Sequence, residues 1–152
     1  MFAVIRVRGS IKVNAKMEKT LAMMNLNRVN RLTLLPEEEK TKKLLKKAEN
    51  YVTWGEISKE TLARVLEKRG KTSIEKKISL DTLKEKNINS FEELAEKILE
   101  GKKPRDFGLK PFFALKPPSK GYERAGIKKP YAIGGALGYR GKEINQLIER
   151  MV

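Results

Sequence analysis

Cysteine and histidine are both absent from this chain of 152 residues, and each absence excludes a class of chemistry. Without cysteine, the chain can form no disulfide, no thiolate metal site and no thiol nucleophile. Without histidine, it lacks the commonest general base and the commonest metal ligand. We therefore expect no hydrolytic or metal-assisted reaction, no cofactor and no small-molecule substrate.

Long hydrophobic runs are also absent. The longest uncharged stretch, Pro130 to Tyr139, has ten residues, whereas a membrane-spanning helix needs about 20 apolar residues. The apolar run at the N-terminus already contains Arg6 and Arg8, which argues against an export signal. We expect a soluble cytoplasmic protein without a membrane partner.

Positive charge predominates in the chain. It contains 34 Lys and Arg against 19 Asp and Glu, a net charge of +15. Adaptation to heat enriches lysine and glutamate together, so it accounts for a high charge density but not for this imbalance. An excess of this size is typical of proteins that bind nucleic acids, and we expect an anionic partner.

The acidic residues do not suggest an active site. They lie mostly in the first turns of predicted helices or at spacings typical of surface ion pairs, without an organising partner. The glycine-rich segment 134–142 is similar to a phosphate-binding loop, but a P-loop requires glycine at Ala136 and serine or threonine at Glu143. Two interpretations of the segment stay open, an RNA-phosphate site at a helix N-terminus and a purely structural turn. We expect that the protein is not an enzyme.

The first part of the chain begins with a strand and a helix. Residues 2–8 end in alternation and predict a strand with Arg6 and Arg8 on one face, directed outward or toward a partner. Asn14 predicts the cap of a helix that continues to about Asn25. The core residues of this helix are predicted to be Met17, Leu21 and Met24.

Two further strands and a second helix complete a β-α-β-α-β pattern. Residues 31–35 predict a strand, and Pro36 is well placed in the first turn of the next helix. The lysines of that helix predict a solvated face first, with RNA contacts as the less favoured alternative. Residues 51–54 predict a third strand bounded by Gly55, in which Trp54 either fills the core or stacks on a base.

Additional helices follow. Ser58 predicts the cap of a helix that ends at Arg69, Asp81 predicts the cap of a short helical turn, and Ser90 with Glu93 forms a capping box that opens another helix. A short amphipathic helix closes the chain. Its buried side is predicted to consist of Ile144, Leu147, Ile148 and Met151.

A basic loop lies between these helices, from residue 102 to residue 140. It contains ten Lys and Arg, two acids and five of the six prolines, a composition that opposes regular secondary structure. Phe112 and Phe113 are predicted to anchor the loop on the core as a strand. We expect residues 116–140 to be disordered in the free protein and to become ordered on RNA, while the closing helix stays docked.

Several segments together resemble one protein family. LAMMNLNRVN at residues 21–30, YVTWGE at 51–56, KPPSKG at 116–121 and INQLI at 144–148 resemble motifs of the large-subunit ribosomal protein L-thirty family, called L-seven in eukaryotes. The resemblance extends over essentially the whole chain and is to the long archaeal form. Residues 122–125 depart from it, because a shorter glycine-rich run is expected there.

This resemblance implies an α+β fold and a structural function. A ferredoxin-like β-α-β-α-β core is expected at residues 1–55, with a small three-stranded antiparallel sheet and helices on one face. Residues 56–152 are expected to form an additional C-terminal subdomain of helices and the basic loop 102–140. The usual crossover rule alone would predict parallel strands in the core. The implied function is to bind and stabilise large-subunit rRNA as a constituent of the ribosome, with neighbouring ribosomal proteins as further partners.

Composition by itself leaves one alternative open, a cytoplasmic basic adaptor that binds acidic protein surfaces. For RNA binding, Arg6, Arg8, Arg28 and Arg31 are predicted to form a basic edge of the core. The full set of candidate rRNA contacts is Arg6, Arg8, Lys12, Arg28, Arg31, Lys71, Lys76, Lys77, Lys103, Lys116, Lys120, Arg124, Lys128, Lys129, Tyr139 and Arg140.

Overall fold

Three antiparallel strands form the centre of the protein. The computed structural model describes residues 1–72, 76–78, 83 and 88–152; the turn predicted at Asp81 lies outside them. Strand β1 (Phe2–Arg6) lies between β2 (Arg31–Leu35) and β3 (Val52–Glu56) and is antiparallel to both. β2 and β3 are therefore parallel to each other, with β1 inserted between them. The predicted α+β class with an antiparallel core is confirmed.

Two short strands from the basic loop extend this sheet to the order β4-β2-β1-β3-β5. β4 (Phe113–Ala114) is antiparallel to β2, and β5 (Gly138–Tyr139) is parallel to β3. Phe113 is buried, which confirms its predicted role as an anchor. Both edges of the three-stranded sheet are thus covered, and an exposed strand edge is a site of unwanted pairing.

Helices cover both faces of the sheet. All five residues of β1 are buried. Because side chains alternate along a strand, β1 is therefore buried on both faces of the sheet. Phe2 and Val4 pack in a cluster with helices α1 (Ala15–Met23) and α2 (Glu39–Lys47). On the opposite face, Ala3 and Ile5 pack in a larger cluster with α3 (Lys59–Arg69), α4 (Phe91–Leu99) and α5 (Ile144–Met151). The resemblance implied helices on one face of the core, and the later helices cover the other.

Local capping signals position three of these helices as predicted. Asn14 accepts a hydrogen bond from the Lys16 amide, Ser58 from the Thr61 amide and Ser90 from the Glu93 amide. The Glu93 carboxylate accepts in return from the amide of Asn89, one residue before the cap. The four predicted core residues of α5 are all fully buried, which confirms its docked face.

Two boundaries differ from the sequence-based expectation. Helix α2 begins at Glu39 after the cap residue Glu38, so Pro36 precedes the helix instead of lying in its first turn. Strand β3 continues through Gly55 to Glu56. A Cβ on Gly55 would lie 1.9 Å from the carbonyl oxygen of Gly141. Gly55 therefore permits close backbone contact inside the strand, a requirement that depends on tertiary packing.

Within the described ranges, no helix is both long and apolar enough to cross a membrane. The same ranges contain no group of three or more acidic side chains in an arrangement that could hold a metal ion.

Candidate nucleic-acid interface

Arg6 lies inside the protein, so the expectation that its side chain faces outward is wrong. The residue is 1% exposed. Its guanidinium donates hydrogen bonds to the carbonyl oxygens of Leu26 (2.7 Å) and Arg8 (2.9 Å) and to the hydroxyl of Ser10 (3.1 Å). Burial lowers the pKa of Arg6, and the negative charge of Glu18 opposes this effect. Arg6 therefore holds together the loop that follows β1 and the loop that precedes β2.

Asn30, immediately before β2, joins three distant parts of the chain. Its amide donates to the carbonyl oxygen of Arg6 (2.9 Å), and its own carbonyl accepts from the amide of Leu115 (2.9 Å). Its side-chain oxygen accepts from the hydroxyl of Tyr122 (3.1 Å). Asn30 adopts a left-handed φ of 60°, which asparagine tolerates better than most residues. The end of β1, the residue after β4 and the basic loop therefore meet at one point.

Arg28 and Arg31 lie beside this junction. The Arg31 guanidinium carbon is 4.0 Å from the ring centroid of Phe112, a cation–π arrangement that keeps the side chain half-buried. Burial and the positive charge of Arg28 lower the pKa of Arg31. In the part of the chain that the structure describes, no salt bridge joins either arginine to an acid. An anion close to this pair would relieve its repulsion.

Arg8 and Lys12 extend the same surface. Arg8 is half-buried, donates to the carbonyl oxygen of Asn50 (3.2 Å) and lies 5.2 Å from the ring centroid of Tyr51. Lys12 is exposed and adopts a left-handed φ of 57°. Both belong to the loop that Arg6 holds in place. We name the surface formed by Arg8, Lys12, Arg28 and Arg31 the arginine end.

The predicted cations of the basic loop adjoin the arginine end. Lys116 follows Leu115, whose amide is bonded to Asn30. Tyr122 connects the next part of the loop to the same residue. The exposed cations on this tethered segment are Lys116, Lys120, Arg124, Lys128 and Lys129.

A second group of predicted cations is connected to Arg31 through contacts of Lys110. The Lys110 amide donates to the carbonyl oxygen of Lys71 (3.0 Å), and Lys71 forms an isolated antiparallel bridge with Lys77. The ammonium of Lys110 lies 5.9 Å from the ring centroid of Phe112, the ring that Arg31 covers. The exposed residues in this group are Lys71, Lys76 and Lys77. Lys103 is also exposed, and its backbone amide donates to the Asp106 carboxylate instead of to this group.

Arg140 is buried, which differs from its prediction as an RNA contact on the loop. It is 5% exposed, and its guanidinium donates to the Thr53 hydroxyl (2.9 Å), the Ala136 carbonyl oxygen (2.9 Å) and the Glu123 carboxylate (2.8 Å). Burial alone would raise the pKa of Glu123, but hydrogen bonds and positive charge from Arg140 outweigh it and hold that pKa below its usual range. This network attaches the basic loop to β3.

Several backbone amides of the glycine-rich segment donate to carbonyl oxygens elsewhere in the protein. The amide of Gly135 donates to Pro130, that of Leu137 to Lys129 and that of Arg140 to Trp54. A Cβ on Gly135 would lie 2.0 Å from the carbonyl oxygen of Lys129. These contacts support the interpretation as a structural turn for residues 134–140.

Tyr139 and Trp54 lie away from the arginine end. The Tyr139 ring is exposed and its hydroxyl donates to the Glu56 carboxylate (2.6 Å), which raises the pKa of that hydroxyl. The half-buried Trp54 packs against the cluster under α1 and α2, and its ring centroid is 6.4 Å from that of Tyr139. Trp54 thus acts partly as a core residue while one part of its ring remains accessible.

Sequence reasoning missed two residues that organise this region, Asn30 and Glu123. Asn30 gave only a weak signal, a residue type that favours turns directly before a predicted strand. Glu123 is one of two acids in the basic loop. An acid among many cations marks a candidate for a buried pair, but its partner could not be identified without the tertiary structure.

Comparisons with known proteins identify the relatives of this chain. Residues 2–52 match the profile of the family described as Ribosomal protein L30p/L7e. Among curated proteins, the large ribosomal subunit protein uL30 of Nanoarchaeum equitans is 49% identical over 100% of this chain and 99% of its own length. The protein of the same name from Methanococcus maripaludis is 45% identical over 99% of both chains. That of Methanopyrus kandleri is 43% identical over 96% of this chain and 100% of its own.

Proposed function

The chain belongs to the ribosomal protein L30p/L7e family, and we propose that it binds large-subunit rRNA through its arginine end and the adjoining basic loop. The protein is a structural, non-enzymatic constituent of the large ribosomal subunit in the cytoplasm, and rRNA binding is general for its family. The relatives favour this function over the alternative of a basic adaptor for acidic protein surfaces. The position of the RNA on the protein is our proposal.

One observation carries this proposal: cations from separate parts of the chain converge around Asn30. The loops of Arg8 and Arg31 meet through Arg6 and Asn30, and the basic loop is joined to the same asparagine through Tyr122. Neutralising phosphates releases condensed counterions, and this release drives binding. Glu123, one of the two acids of this loop, is already paired with Arg140 and with Arg150. Because these partners are buried or half-buried, Glu123 does not compete with RNA for an exposed cation, although its charge lowers the positive potential of the surface.

We leave Arg6, Arg140 and Tyr139 out of the proposed contacts. The two arginines are buried and direct their donors to protein atoms. Tyr139 donates to Glu56, whose negative charge disfavours a nearby phosphate. The other thirteen candidates, including Lys103, remain proposals.

We also propose the division of the chain at residue 55. Residues 1–55 contain the three central strands, apart from Glu56 at the end of β3, and the first helical layer, and the family profile matches within them. Residues 56–152 supply the second helical layer and both edge strands. The division therefore follows the part that the family profile matches. It does not separate two independent cores, because both parts contribute to one sheet and one core.

A binding titration with matched charge reversals tests the proposed surface. The full-length protein is titrated against a large-subunit rRNA fragment at several salt concentrations, and the Arg28→Glu/Arg31→Glu variant is compared with Lys43→Glu/Lys68→Glu. Both variants change the net charge equally, and Lys43 and Lys68 are exposed on helices α2 and α3. We expect the arginine variant to bind about 10–100-fold more weakly, with a log–log salt slope reduced by about two.

The control variant should bind like the unmodified protein, and circular dichroism should be the same for all three. Equal weakening by both reversals would mean that RNA responds only to total charge, and the proposed surface would be wrong. Binding that does not depend on salt would contradict phosphate recognition altogether.

A further inference from the structure

A shallow groove of about 450 Å³ lies beside α2, and its Phe2–Glu56 end is opposite the arginine end. Its position follows from the strand register, because Phe2 pairs with Glu56 there while Arg6 pairs with Val52 at the other end. Rings of Phe2, Trp54 and Tyr139 contribute apolar walls. The groove therefore offers aromatic surface, and none of the proposed RNA contacts lines it.

The charge of this groove is opposite to that of the chain as a whole. Glu37, Glu49 and Glu56 line it against two lysines of α2, Lys42 and Lys46, although the protein carries a net charge of +15. Among the described residues, no salt bridge pairs these carboxylates with either lysine. A phosphate would meet an excess of carboxylates here, whereas a cation would be attracted.

The aromatic rings are held in a geometry that suits a cation. Tyr139 is 53% exposed, and its ring is fixed by the hydrogen bond of its hydroxyl to Glu56. The Trp54 ring stands beside it at an interplanar angle of 48°. A guanidinium over the face of Tyr139 or Trp54 would gain cation–π attraction. Its charge would then face the carboxylate of Glu56, which contacts the Tyr139 hydroxyl, and that of Glu37 in the same groove.

We propose that this groove binds a basic, extended segment of a neighbouring protein, with an arginine side chain placed between the aromatic rings and the carboxylates. The partner is inferred from charge complementarity together with the exposed rings, since an RNA base could stack on the rings but its phosphates would face the glutamates. The inference rests on the proposed function only in placing the partner protein on the large ribosomal subunit. The arginine end would thus hold RNA and the groove a protein.

Trp54 is the only tryptophan of the chain and provides a direct probe of the groove. The full-length protein is titrated with the peptide acetyl-Arg-Gly-Arg-Gly-Arg-amide and, separately, with hexauridylate, while Trp54 fluorescence is recorded. The Glu37→Gln/Glu56→Gln variant is compared with Glu60→Gln/Glu67→Gln. The control removes the same charge from exposed positions on α3, which packs on the opposite face of the sheet.

We expect saturable change of Trp54 fluorescence with the arginine peptide and none with hexauridylate at the same concentration. The groove variant should bind the peptide about tenfold more weakly, and the control variant should bind it like the unmodified protein. Equal weakening in both variants, no saturable binding of the peptide, or a Trp54 response to hexauridylate alone would each overturn the proposal. Because the titration contains no rRNA fragment and leaves Arg28 and Arg31 unchanged, its failure is separate from failure of the RNA-binding proposal.

Discussion

The carboxylate of Glu123 accepts a hydrogen bond of 2.8 Å from the buried guanidinium of Arg140. Arg140 also donates to Thr53 in β3, so this pair joins the basic loop to the sheet. A loop rich in proline, glycine and like charges thereby acquires a buried point of attachment. The pair accounts for how a segment with this composition can pack on the protein without RNA.

Substitution of Glu123 tests that attachment. Glu123→Gln leaves the buried Arg140 guanidinium without its charged acceptor, and we expect the free energy of unfolding to fall by about 1–3 kcal/mol. For a protein of this size, each kcal/mol corresponds to about 2–4 °C in melting temperature. Thermal and urea unfolding measure the change. Glu149→Gln, which removes the exposed partner of Arg64, should alter stability by less than about 0.5 kcal/mol; equal effects would show that the Glu123 pair has no special role.

The same pair predicts a dependence of stability on pH. The folded-state pKa of Glu123 lies below the ordinary value of 4.5, so its ionised form stabilises the folded protein. This contribution is complete above the ordinary pKa and is lost as the pH falls through the lower folded-state pKa. We expect the difference in unfolding free energy between the unmodified protein and Glu123→Gln to be constant from pH 7 to about pH 5.5 and to shrink at lower pH. A difference that grows on acidification would reverse the assigned direction of the shift.

Arg6 and Arg8, neighbours on one strand face in the sequence pattern, should differ sharply when replaced. Arg6→Met leaves the carbonyl oxygen of Leu26 without its donor, and we expect a loss of about 1–3 kcal/mol in unfolding free energy. Arg8→Met removes a half-buried cation–π contact with Tyr51 and should cost about 1 kcal/mol or less. Urea denaturation compares the two variants. Similar losses would mean that the burial of Arg6 contributes nothing beyond ordinary surface contacts.

Gly55 tests the close contact between β3 and the turn before α5. A methyl group at Gly55 would meet the Gly141 carbonyl oxygen at 1.9 Å, so the backbone must shift. We expect Gly55→Ala to lower the free energy of unfolding by about 1–3 kcal/mol or more. Gly9→Ala serves as the control, because no atom lies within 4 Å of the added methyl group. If calorimetry gives the two variants equal melting temperatures, the close approach at Gly55 has been assigned incorrectly.

Hydrogen exchange can test the order of the basic loop in the free protein. The amides of Ala125, Gly126 and Ala136 donate to carbonyl groups within the loop, and we expect them to exchange slowly. Among the described residues, the amides of Lys128 and Lys129 donate no backbone hydrogen bond, and they should exchange fast. This pattern would differ from the composition-based expectation of disorder throughout residues 116–140. Uniformly fast exchange, with α5 protected, would restore the original expectation.

The sequence alone determined the features that depend on near neighbours. The caps at Asn14, Ser58 and Ser90 are bonds between a side chain and an amide two or three residues away, so residue type and spacing were sufficient to predict them. The buried face of α5 followed from helical periodicity for the same reason. Family motifs distributed over the chain, together with the charge excess, indicated the ribosomal function.

Only the tertiary structure decided which cations are available to a ligand. Arg6 and Arg31 belong to the same predicted basic edge, yet Arg6 is enclosed by backbone carbonyls while Arg31 remains half-exposed on Phe112. Arg140 and Arg124 come from the same basic loop, yet Arg140 turns inward to Glu123. A buried guanidinium needs several acceptors at once, and for Arg6 and Arg140 these come from residues up to 87 positions apart. The neighbouring residues in the sequence do not indicate such distant partners. The sequence could therefore identify the cations but could not distinguish buried, structural cations from exposed ones.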